Sequence, residues 1–214
     1  MTLFISRGGI VDAERIKVKI FSTIERGKLD AVNGIVVHQT NSPTAQGAFN
    51  SYADTKGPKP PNGAHFLIDK DGQIYQTASL FRVTNHVGVL QSRCVLTKKC
   101  TPTELKNANA LEKIKGNGAR ADAIHENEKI KKWPDRYPSN ADSIGIEIVG
   151  MSYDQKQPNG VVKKIYEPVN DRQNSSLAWL VKELTETLNV SMQEVYKHPQ
   201  IGRKTESEAS TARW

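Results

Sequence analysis

Gly34-Ile-Val-Val-His38 and Ser143-Ile-Gly-Ile-Glu-Ile-Val149 are two runs rich in β-branched residues, with almost no polar interruption. A strand with one wet face alternates polar and apolar positions. One that is apolar on both faces must be covered on both, which is the situation of an interior strand in an α/β sheet. The two runs predict a central mixed sheet with helices on its faces. At 214 residues, 37% hydrophobic and 25% charged, the chain can supply those helices within one α/β domain that needs no staples.

Local signals order the rest. Ile16, Ile20 and Ile24 recur at fourfold spacing among charges, which predicts an amphipathic helix within an N-terminal helical extension over residues 1–30. Ser42-Pro43 predicts an N-cap and a first helical position, with helix from Thr44 to about Tyr52. Lys56-Gly-Pro-Lys-Pro-Pro-Asn-Gly63 is loop. Ala64–Asp69 and Gln73–Thr77 flank Lys70-Asp71-Gly72, whose Asp-Gly pair suits a tight hairpin turn. Within the main domain, residues 31–214, the stretch of about 90–140 is polar and has no strand-like run, so it is an insertion. There Thr101-Pro-Thr-Glu104 is a capping box that opens a helix, and Gly116-Asn-Gly118 closes it. A second short helix is expected from about Asp122 until Trp133-Pro134 stops it. Leu177, Leu180, Val181, Leu184 and Leu188 line one face of a helix capped near Asn174 or Ser175.

A formal charge of +7 favours anionic partners such as cell-wall polymers or nucleic acid. No RNA-binding signature, zinc-knuckle cysteine pattern or aromatic-studded basic strand is present, so nucleic acid is not expected as the substrate. The first residues lack the basic region, apolar stretch and small-residue cleavage site of a secretory signal. No apolar run approaches the ~20 residues needed to span a bilayer, so no membrane insertion is expected. Cys94 and Cys100 lie in a lysine-rich loop, either as a short disulfide in an oxidising compartment or as two thiols.

A lone His at the end of an apolar strand is ordinarily structural. Here His38 has company in Tyr196-Lys-His-Pro-Gln-Ile-Gly-Arg-Lys-Thr-Glu206, which offers His198, Lys204 and Glu206. Two His and one carboxylate match the three protein ligands of a catalytic zinc, which keeps its fourth position open for water. In order along the chain stand Gly34-Ile-Val-Val-His38-Gln-Thr40, Ala64-His65-Phe-Leu-Ile-Asp-Lys-Asp-Gly-Gln-Ile-Tyr-Gln76, Asn85-His86-Val-Gly88, Ser143-Ile-Gly-Ile-Glu147, and His198 with Lys204-Thr-Glu206. With these five stretches, residues 33 to 214 resemble the zinc-dependent N-acetylmuramoyl-L-alanine amidases of the amidase-2 superfamily. That superfamily includes peptidoglycan recognition proteins, phage lysozyme-amidases and the cytoplasmic anhydro-muropeptide amidase.

The resemblance implies that His38 and His198 are zinc ligands and that the third, usually Asp or Cys two residues after a lysine, is Glu206. Glu206 departs from the pattern, and Ser207-Glu208 replaces the Pro-Gly that often follows, which makes Glu208 a rival ligand. The resemblance further implies that Glu147 is the general base, that Lys204 stands beside the oxyanion, and that His86 lines the substrate groove. A tyrosine that assists in some members is replaced by Ala64, which places more weight on Glu147. His65 is expected to pack or hydrogen-bond within the hairpin. The implied reaction is hydrolysis of the amide between N-acetylmuramic acid and L-alanine of the peptidoglycan stem peptide. A non-catalytic recognition module is the alternative. Three settings stay open: a phage endolysin, a cytoplasmic muropeptide-recycling enzyme, or an antibacterial effector delivered by a machine such as type VI secretion. The cysteine pair and the additional segments favour the effector, which would act in a target's periplasm and require an immunity protein in the producing cell.

Overall fold

The two apolar runs pair with each other in parallel at the middle of a six-stranded mixed sheet. The computed structural model describes residues 3–214. Its strands and helices are, in chain order, β1 (Phe4–Ile5), β2 (Val11–Asp12), β3 (Ile16–Val18), β4 (Glu25–Lys28), β5 (Gly34–Gln39), α1 (Ala45–Ala53), β6 (Phe66–Ile68), β7 (Ile74–Gln76), β8 (Arg82–Thr84), α2 (Arg93–Leu96), α3 (Pro102–Glu112), α4 (Asn117–Lys129), β9 (Ser143–Ile148), β10 (Ser152–Lys156), β11 (Val162–Tyr166), α5 (Asp171–Leu188), β12 (Val195–Lys197) and α6 (His198–Ile201). The large sheet runs β12-β5-β9-β6-β7-β3. All its neighbours are parallel except the β6–β7 hairpin, where Gly72 takes the positive φ its turn requires.

Both faces of the sheet are covered, as the runs demand. Leu177, Leu180, Val181 and Leu184 of α5 are fully buried against Ile35, Val37, Ile144, Ile146 and Ile148. On the other face, Phe49 and Tyr52 of α1 pack with Leu67, Val149 and Ile24. Because strand side chains alternate, the residues between those on the α5 face, among them His38 and Glu147, belong to the α1 face. The register sets His38 opposite Glu147 and Val37 opposite Lys197. His38, Glu147 and His198 therefore meet at the C-terminal edge of the parallel strands, where α/β sheets place their ligands.

The N-terminal segment is not the expected helix. Ile16-Lys-Val18 is an edge strand parallel to β7, and Ile24 follows in a single 3₁₀ turn. Ile16 and Ile24 enter separate core clusters on opposite sides of the sheet, while Ile20 is 37% exposed. The alternation Ile-Lys-Val-Lys-Ile is the signal that prevails. Nor is the segment a mere extension: buried Gln76 accepts from the Val11 amide and donates to the Gly9 carbonyl, both at 2.8 Å.

Other boundaries shift for identifiable reasons. Thr44, not Ser42, caps α1 through the Gly47 amide, while Ser42 forms a bridge to Gly150. The capping box of α5 is Asn170 with Gln173, one turn before the expected cap. In the insertion, α3 opens on the Thr101–Glu104 capping box as predicted, but α4 begins directly after Gly116. Within the insertion the Cys94–Cys100 disulfide closes a short loop, and a two-pronged pair between Arg93 and buried Glu194, at 2.6 and 3.0 Å, ties the insertion to the rest of the domain. Hairpin β10–β11 and strand β12 have no counterpart in the sequence reading. Among the described residues, no helix is long and apolar enough to cross a membrane.

If residues 16–18 form a strand of the sheet, Ile16→Ala should lower unfolding stability by about 2–5 kcal/mol. Ile20→Ala should stay within about 0.5 kcal/mol. Urea denaturation distinguishes this from a helix with all three isoleucines on its buried face, for which the two losses would be similar.

Candidate active site

β5 ends in His38 and β12 runs directly into His198, the first residue of α6. Their Nδ1 atoms face each other at 2.7 Å. Glu208 completes the group, with Oε1 3.0 Å from His198 Nδ1 and 3.6 Å from His38 Nδ1. All three residues are buried, and their ligand atoms lie within 4.8 Å of one another. Glu206, the expected third ligand, is exposed and outside this group. The loop turns at Thr205–Glu208, and the Ser207 hydroxyl, bonded to the Lys164 carbonyl and the Tyr166 amide of β11, directs the later glutamate inward.

The surrounding hydrogen bonds assign the imidazole tautomers. His198 Nε2 lies 2.6 Å from the Val87 carbonyl, which can only accept, so Nε2 carries a proton; in the neutral ring Nδ1 is then bare. The Ser143 hydroxyl donates to the Ser139 carbonyl and must accept from His86 Nε2 at 3.3 Å. His86 Nδ1 is then bare and accepts from His38 Nε2 at 3.0 Å, leaving His38 Nδ1 bare as well. Burial, with the neighbouring imidazoles, lowers His38 to about 4 and pushes His86 well below the usual histidine range, so both are neutral. Burial would raise Glu208, but when His198 and His38 are protonated their hydrogen bonds and charge hold it at about 2, so it stays a carboxylate. In these tautomers neither ring has a proton to offer Glu208 across the gap. Two nitrogen lone pairs and a carboxylate thus converge with no proton among them, a donor set that fits a divalent cation and matches zinc in ligand type and number.

Close backbone approach fixes the rings. A Cβ on Gly202 would come within 2.9 Å of the His198 ring, and one on Gly145 within 2.8 Å of the His86 ring. His86 lines the groove, where contact with substrate was expected, and it also orients His38 through their hydrogen bond. That role has no local sequence signature. His65 is buried and satisfied by the Arg82 carbonyl, the Gly145 amide and Thr84, as its placement in the hairpin suggested.

The three ligands lie in a groove of about 840 Å³ whose other walls include Glu147, Lys204, Asn41, Tyr52 and Tyr166. Glu147 is half-buried, yet its Oε2 is sealed from solvent and has no hydrogen-bond partner among the described residues. Burial and the nearby Glu208 raise its pKa to about 8 against the opposing pull of Lys204. Lys204 is exposed on the groove wall, close enough to act electrostatically on both His38 and Glu147. The site therefore combines a cation-binding corner, a poised carboxyl group and a mobile ammonium, the components of hydrolytic amide cleavage.

The model of the N-acetylmuramoyl-L-alanine amidase family matches residues 28–209, and the chain belongs to that family and is an amidase. No curated protein matches the chain. Among solved structures, a selenomethionine derivative of AmpD is 16% identical, with 95% of this chain and 91% of that one covered and a TM-score of 0.53. The amidase LysC from Clostridium intestinale URNW is 17% identical over 88% and 85%, with a TM-score of 0.49. AmpDh3 from Pseudomonas aeruginosa, solved in complex with anhydromuramic pentapeptide, is 18% identical over 81% of this chain and 53% of that one, with a TM-score of 0.48. At these identities the likeness is one of fold.

The geometry predicts that Glu208→Ala loses bound zinc, measured by elemental analysis after dialysis, while Glu206→Ala retains it. His86→Ala should weaken zinc binding by about 10- to 100-fold without removing a ligand. Competition with a chromogenic chelator measures that decrease, and unchanged affinity would show that His38 needs no support from His86.

Proposed function

We propose that this peptidoglycan amidase is zinc-dependent and hydrolyses the amide between the lactyl group of N-acetylmuramic acid and L-alanine of the stem peptide. The observation that supports it most is the proton-free convergence of His38, His198 and Glu208 beside an unpaired Glu147. The anhydromuramic pentapeptide bound by AmpDh3 is a ligand of the same chemical kind. When bound at the three ligands, zinc supplies a Lewis acid that activates water and polarises the scissile carbonyl.

The chain's own groups perform the remaining steps. In its ionised form Glu147 accepts a proton from the attacking water and delivers it to the departing L-alanine nitrogen, so that the C–N bond breaks without expelling an amide anion. Lys204 faces the charge that develops on the carbonyl oxygen. Its flexible stem lets the ammonium follow that oxygen as the carbon becomes tetrahedral. The net charge of +7 suits an anionic wall polymer.

The setting we favour is an oxidising compartment, because the Cys94–Cys100 bond closes a short loop that carries little other packing. An antibacterial effector delivered into a target's periplasm meets that condition. A producing cell would then need an immunity protein able to plug the groove.

Digestion of purified sacculi and defined muropeptides by zinc-loaded protein, with products identified by mass, should release intact stem peptides with a free L-alanine amino terminus. Glu147→Gln should retain zinc and bind muropeptide but lose ~10² or more in turnover. Lys204→Ala should lose ~10² to 10³ with its metal intact. Tight muropeptide binding by a wild-type protein that releases nothing would instead identify a recognition module.

A further inference from the structure

Besides Glu147 Oε2, the groove contains a second buried polar atom without a partner among the described residues, the phenolic oxygen of Tyr52. Tyr52 lies in the last turn of α1 and is 5% exposed. Its position is firmly set. The ring packs edge-on against Phe21, with centroids 5.7 Å apart, and its backbone carbonyl accepts the Thr23 hydroxyl. On the opposite side it covers Gly63, where a Cβ would come within 3.1 Å of the ring. Phe21, Thr23 and Gly63 thus fix the ring, while the hydroxyl end is left at the groove wall near Glu147 and Ala64.

A buried hydroxyl without a partner destabilises a fold, and phenylalanine would pack the same ring without that cost. The Ala64 amide beside the phenol does not resolve the matter, because an amide N–H only donates and the phenol's own proton still lacks an acceptor. Burial and the charge of Glu147 push this phenol well above its usual pKa, so the proton stays in place. A fixed donor, unused by the protein and set in the wall of a substrate groove, calls for an acceptor on the substrate.

We propose that Tyr52 is a further catalytic residue, whose O–H donates a hydrogen bond to an oxygen of the muropeptide bound beside Glu147. This rests on the function proposed above. It also assigns to α1 a donor at the groove wall where Ala64 provides none. The zinc ligands and Lys204 approach from the β5 and β12 side, whereas Tyr52 approaches from the helix, so the substrate is held from two directions.

Tyr52→Phe keeps the aromatic packing and removes only the hydroxyl. Its Tm should equal or exceed that of the wild type, while kcat/KM for a defined muropeptide should fall about tenfold. Muropeptide affinity, measured calorimetrically in the non-turning Glu147→Gln background, should weaken about tenfold when Tyr52→Phe is added. Unchanged affinity and unchanged kcat/KM would overturn the proposal, as would a lowered Tm that accounts for the loss by partial unfolding. Absence of cleavage by the wild type would overturn the function proposed above, while the affinity comparison would still test Tyr52.

Discussion

Parallel pairing of β12, β5 and β9 is the constraint on which this site depends. Because the three strands point the same way, their last residues arrive at one edge of the sheet, and the register decides which residues those are. Val37 opposite Lys197 puts the next residues, His38 and His198, side by side although they are 160 positions apart in the chain. His38 opposite Glu147 adds the carboxyl group. A slip of one residue would turn Val37 toward the groove and His38 into the apolar layer under α5. The fully buried leucines of α5 and the aromatic residues of α1 oppose that slip, so the hydrophobic core is what holds the chemistry in line.

Polar burial is arranged in two opposite ways around this edge. Behind the rings every polar atom has a partner: a chain from the Ser139 carbonyl through Ser143 and His86 ends at His38, and the Val87 carbonyl holds His198. In front of them, Glu147 Oε2 and the Tyr52 hydroxyl are left unsatisfied. Satisfied groups orient and unsatisfied groups react or bind; both are buried, and the difference between them separates scaffold from working surface. Around this edge, the buried polar atoms without a partner among the described residues lie on the side facing the groove.

The parts of this arrangement that were legible in the sequence are those with local signals. The unbroken apolar runs identified β5 and β9, Asp71-Gly72 identified the hairpin turn, and Thr101–Glu104 identified the start of α3. His38 stands out because it ends such a run, whereas His198, beside the unsignalled β12, stands out only by its residue type and by the resemblance. Spacing to Lys204 pointed to Glu206 over Glu208, whereas a loop conformation brings Glu208 to the two histidines. Ala209 adopts a positive φ, and Ser207 docks on β11, a strand whose Asn159-Gly160 turn went unread. The fourfold isoleucine spacing near the N-terminus competed with an alternation over the same residues, and pairing with β7 decided for the strand. The roles of His86 and Tyr52 depend entirely on contacts between segments distant in sequence, which no spacing encodes.

The close fit of Gly145 and Gly202 against the histidine rings has a consequence for how the ion arrives. With no room to swing, His198 and the His86 that supports His38 are held in place before any cation is present. Loading then requires little loss of side-chain entropy, and the free energy of coordination goes into affinity instead of ordering the protein. A rigid corner of this kind also selects by radius: an ion that needs longer bonds or more ligands must push against backbone and not against flexible side chains. A metal there would be a guest in a finished room, and its departure would leave the walls standing.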